Sequence, residues 1–169
     1  MTQNDKIIVP QPRLTLERIF RASIEEVWDL WTTKDGIESW WGPEGFAVTV
    51  QSLDLRPGGK LHYTMTAAAP EQIAFMQHAG MPLSVAATIT FSEIVPLERL
   101  AYVSLADFVP GVTPYDVGTL IELFAHTDGV RMVLSFDRMH DEVWTRNATL
   151  GHEGQLRKLE ALLARLARR

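Results

Sequence analysis

Acid, base and imidazole fall together in the run Asp137-Arg138-Met139-His140-Asp141-Glu142, directly ahead of a helical pattern. A neutral imidazole beside carboxylates can act as a general base near pH 7, which is what a cyclisation, dehydration or hydrolysis requires. The same residues also have a plainer role. Asp141 and Glu142 stand where a helix N-terminus favours negative charge, and His140 or Asp141 can cap that helix. Two more groups could take part from other elements. Glu122 sits in the alternating run Leu120 to Phe124, where both faces carry apolar residues, so the direction of its carboxylate stays open. Facing a closed cavity it would have a raised pKa, and facing solvent it would pair across a sheet. His152 lies further along the last helical segment. The catalytic candidates are therefore His140, Asp137, Glu122 and His152.

Other chemistries find less to work with. The histidines are His62, His78, His126, His140 and His152, and no two stand at the i, i+4 spacing of a helical metal site. His62, between Leu61 and Tyr63, is expected to point away from both and into solvent. There are no cysteines, which excludes disulfides, thiolate catalysis and cysteine-bound zinc or iron–sulfur centres. The chain has no G-x-S-x-G elbow, no G-x-G-x-x-G turn and no phosphate loop ending in Lys-Ser/Thr. Neither a metal nor a cofactor is expected.

A second constellation is apolar. Trp40-Trp41-Gly42-Pro43-Glu44-Gly45-Phe46 places two adjacent indoles ahead of a Gly-Pro turn, and each ring gains by leaving water while its N–H still needs a partner. With Tyr63, Met65, Phe75, Met76, Tyr102, Phe108, Met132, Phe136 and Trp144 they form an aromatic and sulfur-rich set. Such a set packs a core or lines a pocket. Gly151 and Gly154 interrupt the last helical segment at about 1 kcal/mol each relative to alanine. They leave room for a ligand or for close backbone approach.

The elements that position these residues follow from the pattern. Leu14 to Phe20 suits a strand with a bulge. Ser23 then caps a helix from Ile24 to about Thr32, and a second short helix runs from Lys34 to Trp41. Phe46 to Leu55 and Leu61 to Met65 read as strands joined by Arg56-Pro57-Gly58-Gly59. Residues 67–82 break the rhythm and read as a helical insertion or lid. Strands follow at Val85 to Val95, Arg99 to Asp107, Tyr115 to His126 and Val130 to Phe136. Asp141 to Ala167 is one long helix, with Trp144, Ala148, Leu156, Leu159, Leu163 and Leu166 roughly along one stripe. This order describes an α+β fold in which a curved antiparallel sheet curls around the C-terminal helix.

At 169 residues the chain has the length of one domain with an ordinary core. Residues 1–12, with two prolines and no period, are expected to form a flexible arm, leaving 13–169 as the folded unit. Net charge is −5 with no basic patch, so nucleic acid is not an expected partner. No apolar run approaches a membrane span and no signal segment opens the chain, which points to a cytoplasmic protein.

Several pieces in order carry a resemblance: R-x-F-R-A-S-x-E-x-V-W at Arg18 to Trp28, then W-W-G-P-E-G-F, R-P-G-G, E-I-V-P-x-E-R-L at Glu93 to Leu100, and G-H-E-G-x-L-x-K-L at Gly151 to Leu159. Over about Leu14 to Leu166 the chain resembles the START-like helix-grip superfamily. Within it, the chain is similar to bacterial single-domain relatives of the C-terminal domain of the ATPase activator of the 90-kilodalton heat-shock chaperone. The resemblance implies a sheet of about six strands around the long helix, two short helices after the first strand, and a cavity between sheet and helix that takes a small hydrophobic molecule. The aromatic set with Gly151 and Gly154 would then line that cavity. Relatives often carry Gly-Trp where this chain has Gly154-Gln155, and residues 67–83 are longer than the usual turn. The superfamily also contains cyclase, dehydratase and hydrolase-type enzymes, so an enzyme using the same cavity is the alternative reading. A chaperone partner is implied by the family name alone, and a homodimer through an edge strand or the insertion near Phe75 is compatible with the chain.

Overall fold

The computed structural model describes residues 13–168, so the expected arm at 1–12 lies outside the described residues. Strand β1 (Leu14–Phe20) leads into helices α1 (Ile24–Thr32) and α2 (Lys34–Trp40). Ser23 starts α1 by accepting a hydrogen bond from the Glu26 backbone N–H at 3.0 Å, and the acidic Glu25 and Glu26 complement the helix dipole. Thr33 closes α1 and opens α2, its hydroxyl accepting from the Gly36 backbone N–H. α2 ends at Trp40, ahead of the turn at Gly42, which has φ +90°.

Six more strands follow. They are β2 (Phe46–Leu53), β3 (Lys60–Ala67), β4 (Ser84–Val95), β5 (Arg99–Ala106), β6 (Tyr115–His126) and β7 (Gly129–Phe136), with α3 (Pro70–His78) between β3 and β4 and α4 (Glu142–Leu166) at the end. The sheet order is β1-β7-β6-β5-β4-β3-β2, antiparallel throughout, which makes seven strands where the resemblance implied about six. β1 pairs with β7 without interruption, so the bulge expected there is absent. Register shifts fall instead between Val50 and Ser52 and between Phe91 and Glu93. The R-P-G-G turn needs glycine twice: Gly58 has φ +83°, and a Cβ on Gly59 would overlap the Asp54 carbonyl.

The concave face of the sheet, α1, α2 and α4 enclose one core. Leu156, Leu159 and Leu163 supply the buried stripe of α4, against Phe20, Trp31, Ile37, Trp40 and the inward strand residues Ile121, Leu134 and Phe136. α4 spans about 37 Å. Asp141 caps it by accepting from the Trp144 backbone N–H at 2.8 Å. Among the described residues no helix is long and apolar enough to cross a membrane.

Candidate functional site

The sheet forks. β4 and β5 pair from Val95↔Arg99 only as far as Ile89↔Ser104. Beyond that point β4 continues to Ser84 along β3, and β5 continues to Ala106 along β6, so among the described residues each has a partner on one side only. A crevice of about 540 Å³ occupies the fork, with Val85, Leu105 and Phe108 exposed along it. It shares Tyr63, Met65, Ile89, Ser104, Leu105 and Phe108 with a half-open chamber of about 270 Å³ between the sheet and α4.

Three elements wall the chamber. The turn after α2 brings Trp41, Gly42 and Pro43, while Ala148, His152 and Gln155 come from α4 at helical spacing. The strands supply Tyr63 and Met65, then Tyr102 and Ser104, then Val117 and Thr119. Strand register aligns the polar ones. Tyr102 pairs with Thr119 and Thr119 with Phe136, giving one row across β5, β6 and β7, and the His152 ring lies over Phe136 with centroids 4.4 Å apart.

Burial governs the electrostatics here. It pushes the Tyr102 phenol upward, helped by neighbouring Tyr63 and opposed by the Thr119 side chain. Tyr63 is raised for the same reason, with Trp41 opposing. Burial also lowers His152 to about 4, so its imidazole is neutral at pH 7. Among the described residues, no Lys, Arg, Asp or Glu lines the chamber.

The turn is fixed from α4. Lys158 Nζ donates to the backbone carbonyls of Trp41, Gly42, Pro43 and Phe46 at 3.1–3.4 Å, sharing its three protons among four acceptors. Burial lowers its pKa, with Glu44 opposing. One residue before it, Arg157 grips Glu44 through Nη2 at 2.6 Å. Lys158→Met is expected to lose about 1–2 kcal/mol of stability, because the carbonyls keep only partial access to water in exchange. Urea denaturation checks this, and an unchanged midpoint would show that the cage does not hold the turn.

The aromatic candidates divide by this geometry. Trp41, Tyr63, Met65, Tyr102 and Phe108 line the chamber. Trp40, Met132 and Phe136 are instead sealed in the core, with exposures of 1% or less. Trp144 stacks on Phe108 at 5.4 Å outside the chamber lining. On α3, Met76 is buried while Phe75 is 62% exposed, and no residue of α3 lines the chamber. α3 sits beside the Gly45 turn, whose carbonyl accepts from the Ala68 and Ala69 backbone N–H groups, so it does not cover the chamber as a lid. The helix glycines are not lining residues either. A Cβ at Gly154 would stand 2.9 Å from Glu44 Oε1, so this glycine makes room for the ion pair, while Gly151 faces open space.

Of the acid–base candidates only His152 borders the chamber. Asp137 is occupied by Arg13 Nε at 2.9 Å and by the Gly118 backbone N–H at 2.8 Å, which ties β6 to the end of β7. His140 Nδ1 lies 2.7 Å from the Tyr115 hydroxyl and its Nε2 3.4 Å from Asp141, outside the chamber lining. Glu122 projects from the outer face and pairs with Arg99 across the ladder at 3.1 Å, because Thr119, Ile121 and Leu123 take the inward face. His62 is exposed, its Nδ1 2.9 Å from the Thr88 hydroxyl. Among the described residues no group of three or more His, Asp or Glu could hold a metal ion. Sequence reasoning missed Ser104, Thr119, Gln155 and Lys158. For the first two the signal was present, since each is a hydroxyl on an inward strand face otherwise carrying Tyr102, Ala106, Val117 and Ile121.

Comparison with known proteins agrees with this architecture. The sequence pattern of the Activator of Hsp90 ATPase homolog 1-like protein family matches residues 21–164. A crystal structure of a Chromobacterium violaceum protein is 25% identical with a TM-score of 0.71, covering 90% of this chain and 98% of that one. An AHSA1 protein from Silicibacter pomeroyi is 20% identical with a TM-score of 0.68, over 90% of this chain and 97% of its own. A solution structure from Arthrobacter aurescens, 17% identical, reaches 0.70 over 95% and 93%. No match was found among curated proteins.

Proposed function

We propose, from the premise that this chain belongs to the Activator of Hsp90 ATPase homolog 1-like protein family, that it is a binding module holding one small hydrophobic molecule in the chamber between the Trp41 turn, the sheet and α4. The observation that carries this reading is the forked sheet, whose crevice joins an aromatic-walled chamber beneath α4. An apolar chamber with a few convergent polar groups is the usual form of a small-molecule site. The absence of cysteine suits a cytoplasmic setting.

The acid–base alternative has weaker support. Three of its four candidate groups are committed elsewhere, and an imidazole with a pKa of about 4 is a poor base at neutral pH. No observation at the chamber favours a chaperone partner.

Ala148→Trp tests the reading, because it grows a side chain into the chamber from α4 without removing a contact. An apolar fluorophore that brightens with the native protein is expected to bind the variant about tenfold more weakly or worse, while stability changes by about 1 kcal/mol. Equal binding by both proteins would place the ligand elsewhere and end this proposal.

A further inference from the structure

Resting on the binding reading above, we infer that the chamber selects an uncharged one- or two-ring molecule bearing a single hydrogen-bonding head, and that the head sits against Tyr102, Thr119, His152 and Gln155. The size follows from the room available. About 270 Å³ beside Tyr102, Thr119 and His152 suits a one- or two-ring core, and anything longer would extend into the adjoining crevice.

The selection against charge follows from the lining. A carboxylate or ammonium placed against the buried Tyr102 and Thr119 would leave water there and meet no opposite charge among the described residues, a cost of several kcal/mol per ion. The cations nearest along α4 are already engaged, Lys158 by four carbonyls and Arg157 by Glu44. The polar side chains of the lining, Tyr63 and Ser104 included, are of one kind. A tyrosyl hydroxyl, a threonyl hydroxyl, a neutral imidazole and a primary amide can each donate and accept. They suit a hydroxyl, carbonyl or amide head equally and favour no ion.

Their convergence is a matter of register. Tyr102 and Thr119 are cross-strand partners, Phe136 continues the row, and His152 lies over Phe136 with Gln155 one turn further along the same helix face. Trp41, whose ring lies 5.8 Å from that of Tyr102, together with Met65 and Phe108 supplies the apolar surface that would receive the rings. Tyr63 and Ser104 add hydroxyls elsewhere on the lining, and Tyr102 with Thr119 are its most buried polar pair.

Matched probes test this on the full chain: 2-naphthol, 2-naphthoate and naphthalene, titrated at pH 7.5 against tryptophan fluorescence. Naphthol is expected to bind a few-fold to tenfold more tightly than naphthalene and at least about tenfold more tightly than naphthoate. Naphthoate binding as well as naphthol would overturn the inference while leaving the binding reading intact. Failure of all three to bind would overturn both. Thr119→Val, which keeps the shape, and His152→Phe should each shrink the preference of naphthol over naphthalene. If neither variant changes that ratio, the head does not sit at this row.

Discussion

Trp40→Ala is expected to remove about 3–5 kcal/mol of stability, a large share of what a domain this size possesses. The ring is 1% exposed, and its indole N–H donates to the Leu30 carbonyl at 2.7 Å, tying α2 back to α1. It stands edge-on to Trp31 at 4.7 Å and to Trp41 at 5.4 Å. Alanine would leave a void, an unpaired carbonyl, and a Trp41 without the neighbour that orients it toward the chamber. The phenylalanine series separates these effects. Trp31 is as deeply buried, but its Nε1–H has no hydrogen-bond partner among the described residues. Trp31→Phe removes an unpaired donor where Trp40→Phe breaks a bond, so the second should cost about 1 kcal/mol more in urea denaturation. A Trp40→Ala loss below about 1 kcal/mol, or the reverse order of the two phenylalanine variants, would refute this account of the cluster.

The tryptophan cluster also shows what was legible in the chain. Two indoles ahead of Gly-Pro announce a buried turn, and the periods of the flanking segments place the helices and strands within a residue or two of where they lie. The capping residues Ser23 and Asp141 are readable because their chemistry is local. What the chain did not reveal depends on distance. Trp40 and Trp41 are neighbours in sequence, yet one closes the core and the other faces the chamber, a choice made by the turn that Lys158 holds from more than a hundred residues away. The fork in the sheet is likewise invisible locally. Ser84 to Thr88 reads as ordinary strand, and only the partner it lacks on one side opens the chamber.

The acid–base cluster at Asp137 to Glu142 looked chemical because its residues are adjacent, but adjacency in sequence is a weak guide to a shared site. Asp137 turns to Gly118 and Arg13, His140 to Tyr115, and Asp141 to the helix it caps. The chamber is built from residues far apart in the chain, brought into one row by strand register.

Acidification is expected to weaken the fold through His152. Its folded pKa of about 4 lies below the ordinary value of 6.5, so between those limits the unfolded chain binds a proton that the folded chain refuses. Stability therefore rises with pH across this window, and it is lost as pH falls from about 6.5 toward about 4. A separation this large is worth up to about 3 kcal/mol, less whatever solvation the chamber's own water supplies to the charged ring. The other titratable groups of the lining do not share the window, since Tyr63 and Tyr102 are raised further from it and, among the described residues, no carboxylate lines the chamber. Carboxylates elsewhere will also respond to acid, so the measurement is a difference. Urea midpoints of the native protein and His152→Gln should run parallel above about pH 6.5 and diverge below it, the native protein losing more. Its imidazole resonance should remain that of the neutral ring at pH 5.5. A ring that titrates near 6.5, with parallel midpoints throughout, would mean that water reaches His152 freely and that the chamber is wetter than its walls imply.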